Sequence, residues 1–165
     1  MSSDDPKRGT LTVLQVVGPS DTGKTTLLER LVEQFGERTD GRIATVKAIH
    51  HDVEPDTPGE DTHRHRTAGA DTAIGITPSL SFRITPGGKG DDDVAALESV
   101  LADLERDGYD VALVEGFTAA GLPAVVLGTA GLHEAERERD GRVIAAGETA
   151  DDVDLEAVLA YLTPR

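Results

Sequence analysis

The chain has 165 residues, no cysteine, and 31 acidic against 16 basic side chains, a formal net charge of −15. That length suits a single core built as a central sheet with helices on both faces, while the cysteine count excludes disulfides and thiolate metal sites. No stretch approaches the ~18 apolar residues of a membrane span, the N-terminal MSSDDPKRG has no apolar signal core, and no basic stripe offers itself to nucleic acid. A soluble cytoplasmic protein is the expectation. Lysine occurs only at Lys7, Lys24, Lys47 and Lys89, and asparagine is absent. An acid-rich, lysine-poor surface suits a salt-rich cytoplasm, where the Debye length of about 3 Å at 1 M salt screens self-repulsion. A halophilic protein is therefore expected.

Residues 1–9 read as a flexible lead-in and residues 10–165 as a single nucleotide-binding domain. The β-branched run Leu11–Val17 reads as a strand, and it breaks at Gly18-Pro19 into GPSDTGKT. Gly18, Gly23, Lys24 and Thr25 fit G-x-x-x-x-G-K-[ST], the phosphate-binding loop. The chemistry explains the spacing. Backbone N–H groups wrap a phosphate chain, so glycine stands where a Cβ would block the approach. Lys24 meets the β- and γ-phosphates as a point charge, and the Thr25 hydroxyl is a ligand for Mg²⁺. Leu27, Leu28, Leu31, Val32 and Phe35 recur at helical spacing, so a helix starts near Lys24 and ends near Gly36, its positive dipole end aimed at the anion.

Residues 42–48 read as a second strand, parallel to the first because a helix crosses between them. The stretch 50–70 is too polar for a core element and carries four of the five histidines, His50, His51, His63 and His65, among Asp52, Asp56, Glu60, Asp61, Arg64 and Arg66. A short helix is predicted over 61–68, capped by Asp61 or Thr62. A zinc site, a plain solvated loop, and a functional loop that meets phosphate, Mg²⁺ or a partner all fit this composition, and long loops beside a phosphate site usually carry function. Short strands are expected at 73–76 and 80–84, then a helix over 94–106 with Ala96, Leu97, Val100, Leu101 and Leu104 on one face. Residues 109–114 form a buried strand leading into Glu115-Gly116, and the Glu115 carboxylate at a strand's carboxyl end is the candidate second ligand for Mg²⁺. Strands at 124–127 and 143–146 and a helix over 153–162 complete the chain. The alternation implies an α/β three-layer sandwich with a mostly parallel central sheet, the fold of P-loop NTPases.

GPSDTGKTTLLERL, VKAIHHD, DTPGEDTHRHRTAGA and VEGF, in this order, resemble the family of molybdopterin-guanine dinucleotide biosynthesis protein B (MobB). That family's pattern is GxSxSGKTTL, IKHxHH, D-x-x-GKDSxRxxxAGA and VEGFK, so the likeness runs from about residue 13 to 117. Asp21-Thr22 departs from the usual step, Ala48-Ile49 stands where a histidine usually follows Lys47, Glu60 replaces a lysine, and Thr118 follows Phe117 in place of lysine. The last two remove positive charge near the ligand. The resemblance implies a GTP-binding homodimer with Mg²⁺ that assists a MobA-type guanylyltransferase in attaching GMP to molybdopterin. Carried over by position, Gly18, Pro19, Ser20, Asp21, Thr22, Gly23, Lys24, Thr25 and Thr26 bind phosphate. His51, Asp56, Gly59 and the segment from Asp61 through Arg64 to Ala70 line a neighbouring groove, and Glu115 sits near Mg²⁺.

No [NT]KxD guanine-reading motif is present, and Leu127-Gly128-Thr129-Ala130 occupies its place. GTP over ATP therefore rests on the resemblance. Enzymatic activity is at most a slow Mg-dependent GTPase. Two other functions fit the residues: a small-molecule kinase, with Arg137, Arg139 and Arg142 as an arginine lid, and a metal-delivery GTPase using the histidines.

Overall fold

The computed structural model describes residues 10–128 and 141–163. The lead-in expected over 1–9, Thr129-Ala130, and Arg137 and Arg139 of the expected arginine lid lie outside the described residues. The elements are β1 (Thr12–Val17), α1 (Lys24–Arg38), β2 (Ile43–Lys47), α2 (Asp61–Thr67), β3 (Ala73–Ile76), β4 (Ser81–Ile84), α3 (Asp93–Arg106), β5 (Val111–Glu115), β6 (Ala124–Leu127), β7 (Val143–Gly147) and α4 (Leu155–Leu162). Short 3₁₀ turns occur at Thr118–Ala120 and Ala150–Asp152. They divide into two compact units, one of residues up to Ala48 together with those from Leu97 onward, the other Ile49–Ala96.

The first unit holds a five-stranded sheet in the order β2-β5-β1-β6-β7, parallel throughout. Helices cover both faces, as the α/β alternation predicted. Leu14 and Val16 of β1 point to one side, where Leu27, Leu31 and Phe35 of α1 and Val158, Leu159 and Leu162 of α4 pack on Val111, Leu113, Val125 and Leu127. The opposite side carries Leu97 and Leu101 of α3 against Val13, Val46 and Val114. The period-two alternation along β1 thus feeds two cores, as a strand buried on both faces requires. Ion pairs fasten α1 to the C-terminal elements at the rim: Arg30 to Asp151 at 2.6 Å and Arg38 to Glu156 at 2.5 Å. The Arg38 hydrogen bond holds the Glu156 carboxyl below the usual glutamate value.

The second unit is smaller. It contains α2 and the antiparallel ribbon β3–β4, in which Ile74 faces Arg83 and Ile76 faces Ser81. The Phe82 ring lies over Gly75, so a Cβ there, 2.2 Å from the ring, would have to push it aside.

Several boundaries differ from the sequence reading, each for a local reason. The strand expected at 42–48 is present but does not neighbour β1, because β5 lies between them. Tyr109 is outside β5; its N–H closes α3 on the Leu104 carbonyl and its ring stacks under the Arg42 guanidinium at 4.0 Å. Neither Asp61 nor Thr62 caps α2. Glu60 holds the cap position in extended backbone without a side-chain hydrogen bond. The last helix begins at Leu155, two residues late, because Thr149 and Asp152 close a capping box around a separate 3₁₀ turn and Asp154 then caps α4 through the Ala157 N–H.

Candidate functional site

The phosphate loop leaves β1 at the carboxyl end of the sheet, where α/β proteins place their ligands. Its path is set by glycines. Gly18 has φ 150°, and a Cβ there would lie 2.6 Å from the Leu127 carbonyl oxygen. Gly23 has φ 88° and caps α1. Asp21 takes a left-handed φ of 63°, a conformation that aspartate tolerates better than most residues. The Thr22 hydroxyl donates to the Pro19 carbonyl at 2.9 Å, and the Lys24 ammonium donates to the carbonyls of Gly18 and Pro19 at 2.9 and 2.6 Å. Ser20, Thr25 and Thr26 are exposed. No side chain caps the first turn of α1, and that turn holds no acidic residue. Its free N–H groups and positive dipole end are thus left for an anion.

Glu115 comes to the same end of the sheet from the neighbouring strand. In the parallel pairing of β1 with β5, Val16 stands opposite Glu115, two residues before the loop. The carboxylate is nearly buried and lies 3.2 Å from the Lys47 ammonium, whose residue is its partner on β2. Thr25, Lys47 and Glu115 line one cleft of about 490 Å³ together with Leu28, Glu29, Val32, Glu33, Thr45 and Val46. A hydroxyl and a carboxylate in one cleft fit Mg²⁺, which takes one or two protein oxygens and completes its shell with phosphate and water.

A residue not singled out from the sequence organises this corner. Gln15 is fully buried in β1, and its side-chain amide donates to the carbonyls of Gly116 and Phe117 at 2.5 and 2.6 Å. Those carbonyls belong to a turn with two successive left-handed residues, φ 87° and 54°. The turn is tight: a Cβ on Gly116 would lie 2.7 Å from the Ala48 Cβ. Gln15 thereby fixes the backbone that follows Glu115. The signal was available, since an amide in the apolar run LTVLQVV has to find partners once buried.

His51, Asp56, Asp61 and Arg64 belong to the second unit. His51 is exposed, and Asp61 pairs with Arg64 at 3.8 Å on the surface. Asp61, Arg64, His65, Thr67 and Ala68 line an open hollow of about 480 Å³. Asp56 accepts from the Thr57 N–H at 2.9 Å and the Thr62 hydroxyl at 3.2 Å, while its Oδ2 is buried without a hydrogen-bond partner. The organiser here is Glu54, which sequence reading passed over. It accepts from the Asp56 N–H at 3.0 Å, binds Arg66 at 2.5 Å and lies 3.7 Å from His63. These bonds, the Asp56 N–H first and Arg66 next, hold its carboxyl below the usual glutamate value. Among the described residues, no three His, Asp or Glu side chains converge on a metal position. Arg142, the described member of the arginine lid, lends its carbonyl to Ala124 at the start of β6.

The pattern of the family MobB, molybdopterin guanine dinucleotide synthesis protein B, matches residues 13–148. The chain belongs to the MobB family. A molybdopterin-guanine dinucleotide biosynthesis adapter protein of Escherichia coli is 33% identical over 145 residues, covering 87% of this chain and 79% of its own. A relative in Methanocaldococcus jannaschii is 34% identical over 119 residues, 70% of this chain, and there the match spans 46%, about half, of the relative's length. The crystal structure of Bacillus subtilis MobB superposes with a TM-score of 0.65 at 27% identity, over 93% of this chain and 99% of that one. The family match spans the phosphate loop, the 50–70 segment and Glu115.

Two outcomes follow from these contacts. Replacing Gln15 with Leu takes the amide donor from the Gly116 and Phe117 carbonyls, the second of which still accepts from the Ala120 N–H, a loss of about 1–3 kcal/mol, so the variant should unfold at a clearly lower denaturant midpoint with an unchanged slope. An unaltered midpoint would remove Gln15 from this role. Glu54, with its folded value lowered, adds stability above the usual glutamate value and loses it as pH falls through the lowered one. Hydrogen exchange in 54–66, taken relative to the intrinsic rate at each pH, should therefore quicken on acidification below about pH 4.5 in the wild type. In Glu54→Gln it should be fast already at neutral pH.

Proposed function

We propose that this chain is an adapter protein of molybdopterin guanine dinucleotide synthesis, the accessory role that its family carries, and that it acts by holding Mg-GTP at the loop Gly18–Thr26. The observation that carries this reading is the meeting of Thr25, near the end of that loop, with Glu115 in one cleft of a chain that belongs to the MobB family. Loop N–H groups and the first turn of α1 hold the phosphates, Lys24 leaves the Gly18 and Pro19 carbonyls to meet them, and Thr25 and Glu115 hold Mg²⁺. The metal supplies neutralisation of phosphate charge. Guanine enters through the family's product, since no described residue set reads the base.

Hydrolysis by the chain alone is slow in this reading. The chain's only two glutamines are engaged elsewhere, Gln15 on the Gly116 and Phe117 carbonyls and Gln34 on Glu37, so neither is placed to orient a water. Molybdopterin is assigned to the second unit, near His51, Asp56, Asp61 and Arg64, and the partner is a MobA-type guanylyltransferase. The setting is cytoplasmic; among the described residues no helix is long and apolar enough to cross a membrane. Neither the kinase nor the metal-delivery function has an observation among the described residues that favours it.

The test is reconstitution of a molybdoenzyme from transferase, Mg-GTP and molybdopterin, with and without this protein. The protein should raise the yield. Lys24→Ala should bind Mg-GTP at least about ten-fold more weakly while remaining folded, and should remove the gain. Equal yield in the two arms would end the adapter reading.

A homodimer completes the proposal. Ile76 is 83% exposed and Leu80 70% exposed on the β3–β4 ribbon, with Ile74 half exposed beside them. A lone two-stranded ribbon is marginal in water and leaves its edges unpaired, and pairing with a second copy covers both. Light scattering in molar KCl should give twice the chain mass, and Ile76→Asp should give a monomer. The same KCl series should raise the thermal midpoint of the −15 chain as its charge is screened. A monomer at every salt concentration would exclude the dimer.

A further inference from the structure

We propose that Lys47 reads the terminal phosphate of the bound nucleotide, so that the site holds a nucleoside triphosphate in preference to the diphosphate. This rests on the nucleotide-binding reading above. Lys47 ends β2 opposite Glu115, and its ammonium is 3.2 Å from the Glu115 Oε1. It remains 57% exposed, on a flexible four-carbon stem that can move between partners. Among the residues lining the cleft with Thr25 and Glu115 it is the sole basic one, and the other charged residues are Glu29 and Glu33.

A purely structural role accounts poorly for this lysine. An ion pair whose ammonium stays open to water adds little to stability, and this chain keeps lysine at only four positions. Two of those four, Lys24 and Lys47, lie at the carboxyl end of the sheet. Lys24 stands on the loop side, among the Gly18 and Pro19 carbonyls, and Lys47 on the far side of the cleft beside Glu115. A phosphate chain that starts on the loop and is neutralised between Thr25 and Glu115 directs its terminal group toward Lys47. Glu115, once it serves a divalent cation, is a weaker partner for Lys47, which then faces a like charge. The terminal phosphate is the counter-charge within reach. A diphosphate has none to offer there, and Lys47 stays with Glu115.

The test compares a non-hydrolysable GTP analogue with GDP, both with Mg²⁺, by calorimetric titration of the full chain in molar KCl. Lys47→Met keeps the aliphatic stem and should weaken the triphosphate analogue about ten-fold while weakening GDP less than about two-fold. Lys47→Arg should keep most of the preference, and thermal unfolding checks that both variants are folded. Equal weakening of the two ligands, or none, would overturn the role of Lys47 while leaving the phosphate loop intact. A wild-type protein that binds neither ligand would instead overturn the nucleotide site itself, and this inference with it.

Discussion

The parallel pairing of β1 with β5 is the constraint on which the site depends. It sets Val16 level with Glu115, so the strand that delivers the phosphate loop and the strand that delivers the carboxylate end at the same height. A slip of one residue would turn Glu115 to the other face of the sheet. Two contacts guard the register from opposite sides. Gln15 grips the turn that follows Glu115, and Lys47 holds the carboxylate from β2. The buried amide is the stronger of the two, because losing its bonds inside the protein costs about 1–3 kcal/mol, whereas the ammonium end of the lysine pair is open to water.

The loop itself is fixed by close approach at its glycines as well as by the Thr22 and Lys24 hydrogen bonds. Gly18 lies against the Leu127 carbonyl, Gly23 against Ala150, and Gly128, at φ 77°, against the Pro19 ring. The ends of β6 and β7 therefore shape the loop as much as β1 does; the Gly128 N–H binds the Gly147 carbonyl at 2.9 Å and draws those strand ends together. Side chains such as Ser20 stay exposed, which fits a surface that meets a ligand through its N–H groups.

Much of this was legible in the sequence because it follows from local rules. The glycine spacing, the helical recurrence of Leu27, Leu31 and Phe35, and the carboxylate closing VALVE each announce an element or a ligand without reference to the rest of the chain. What stayed hidden depends on pairing over long separations. Nothing near Lys47 signals that it will stand beside Glu115, since the insertion of β5 between β2 and β1 is a property of the whole sheet. Gln15 could be suspected of needing partners, but not of finding them about a hundred residues away. Glu54 binds both the next turn and α2, and only the folded loop shows it. Helix capping failed for a simpler reason: Asp61 and Thr62 are good capping residues, yet the chain turns one residue earlier, at Glu60.

The acid surplus of the chain stops at the first turn of α1, where no carboxylate and no capping side chain occurs. Repulsion from the surface charge acts over the Debye length, and in molar salt that is about 3 Å, the reach of a hydrogen bond. The loop N–H groups act within that reach and the surface does not. Two separation media should therefore report two different molecules. An anion exchanger would read the net charge and release the protein as salt rises, while a matrix bearing immobilised nucleotide would retain it through the same salt.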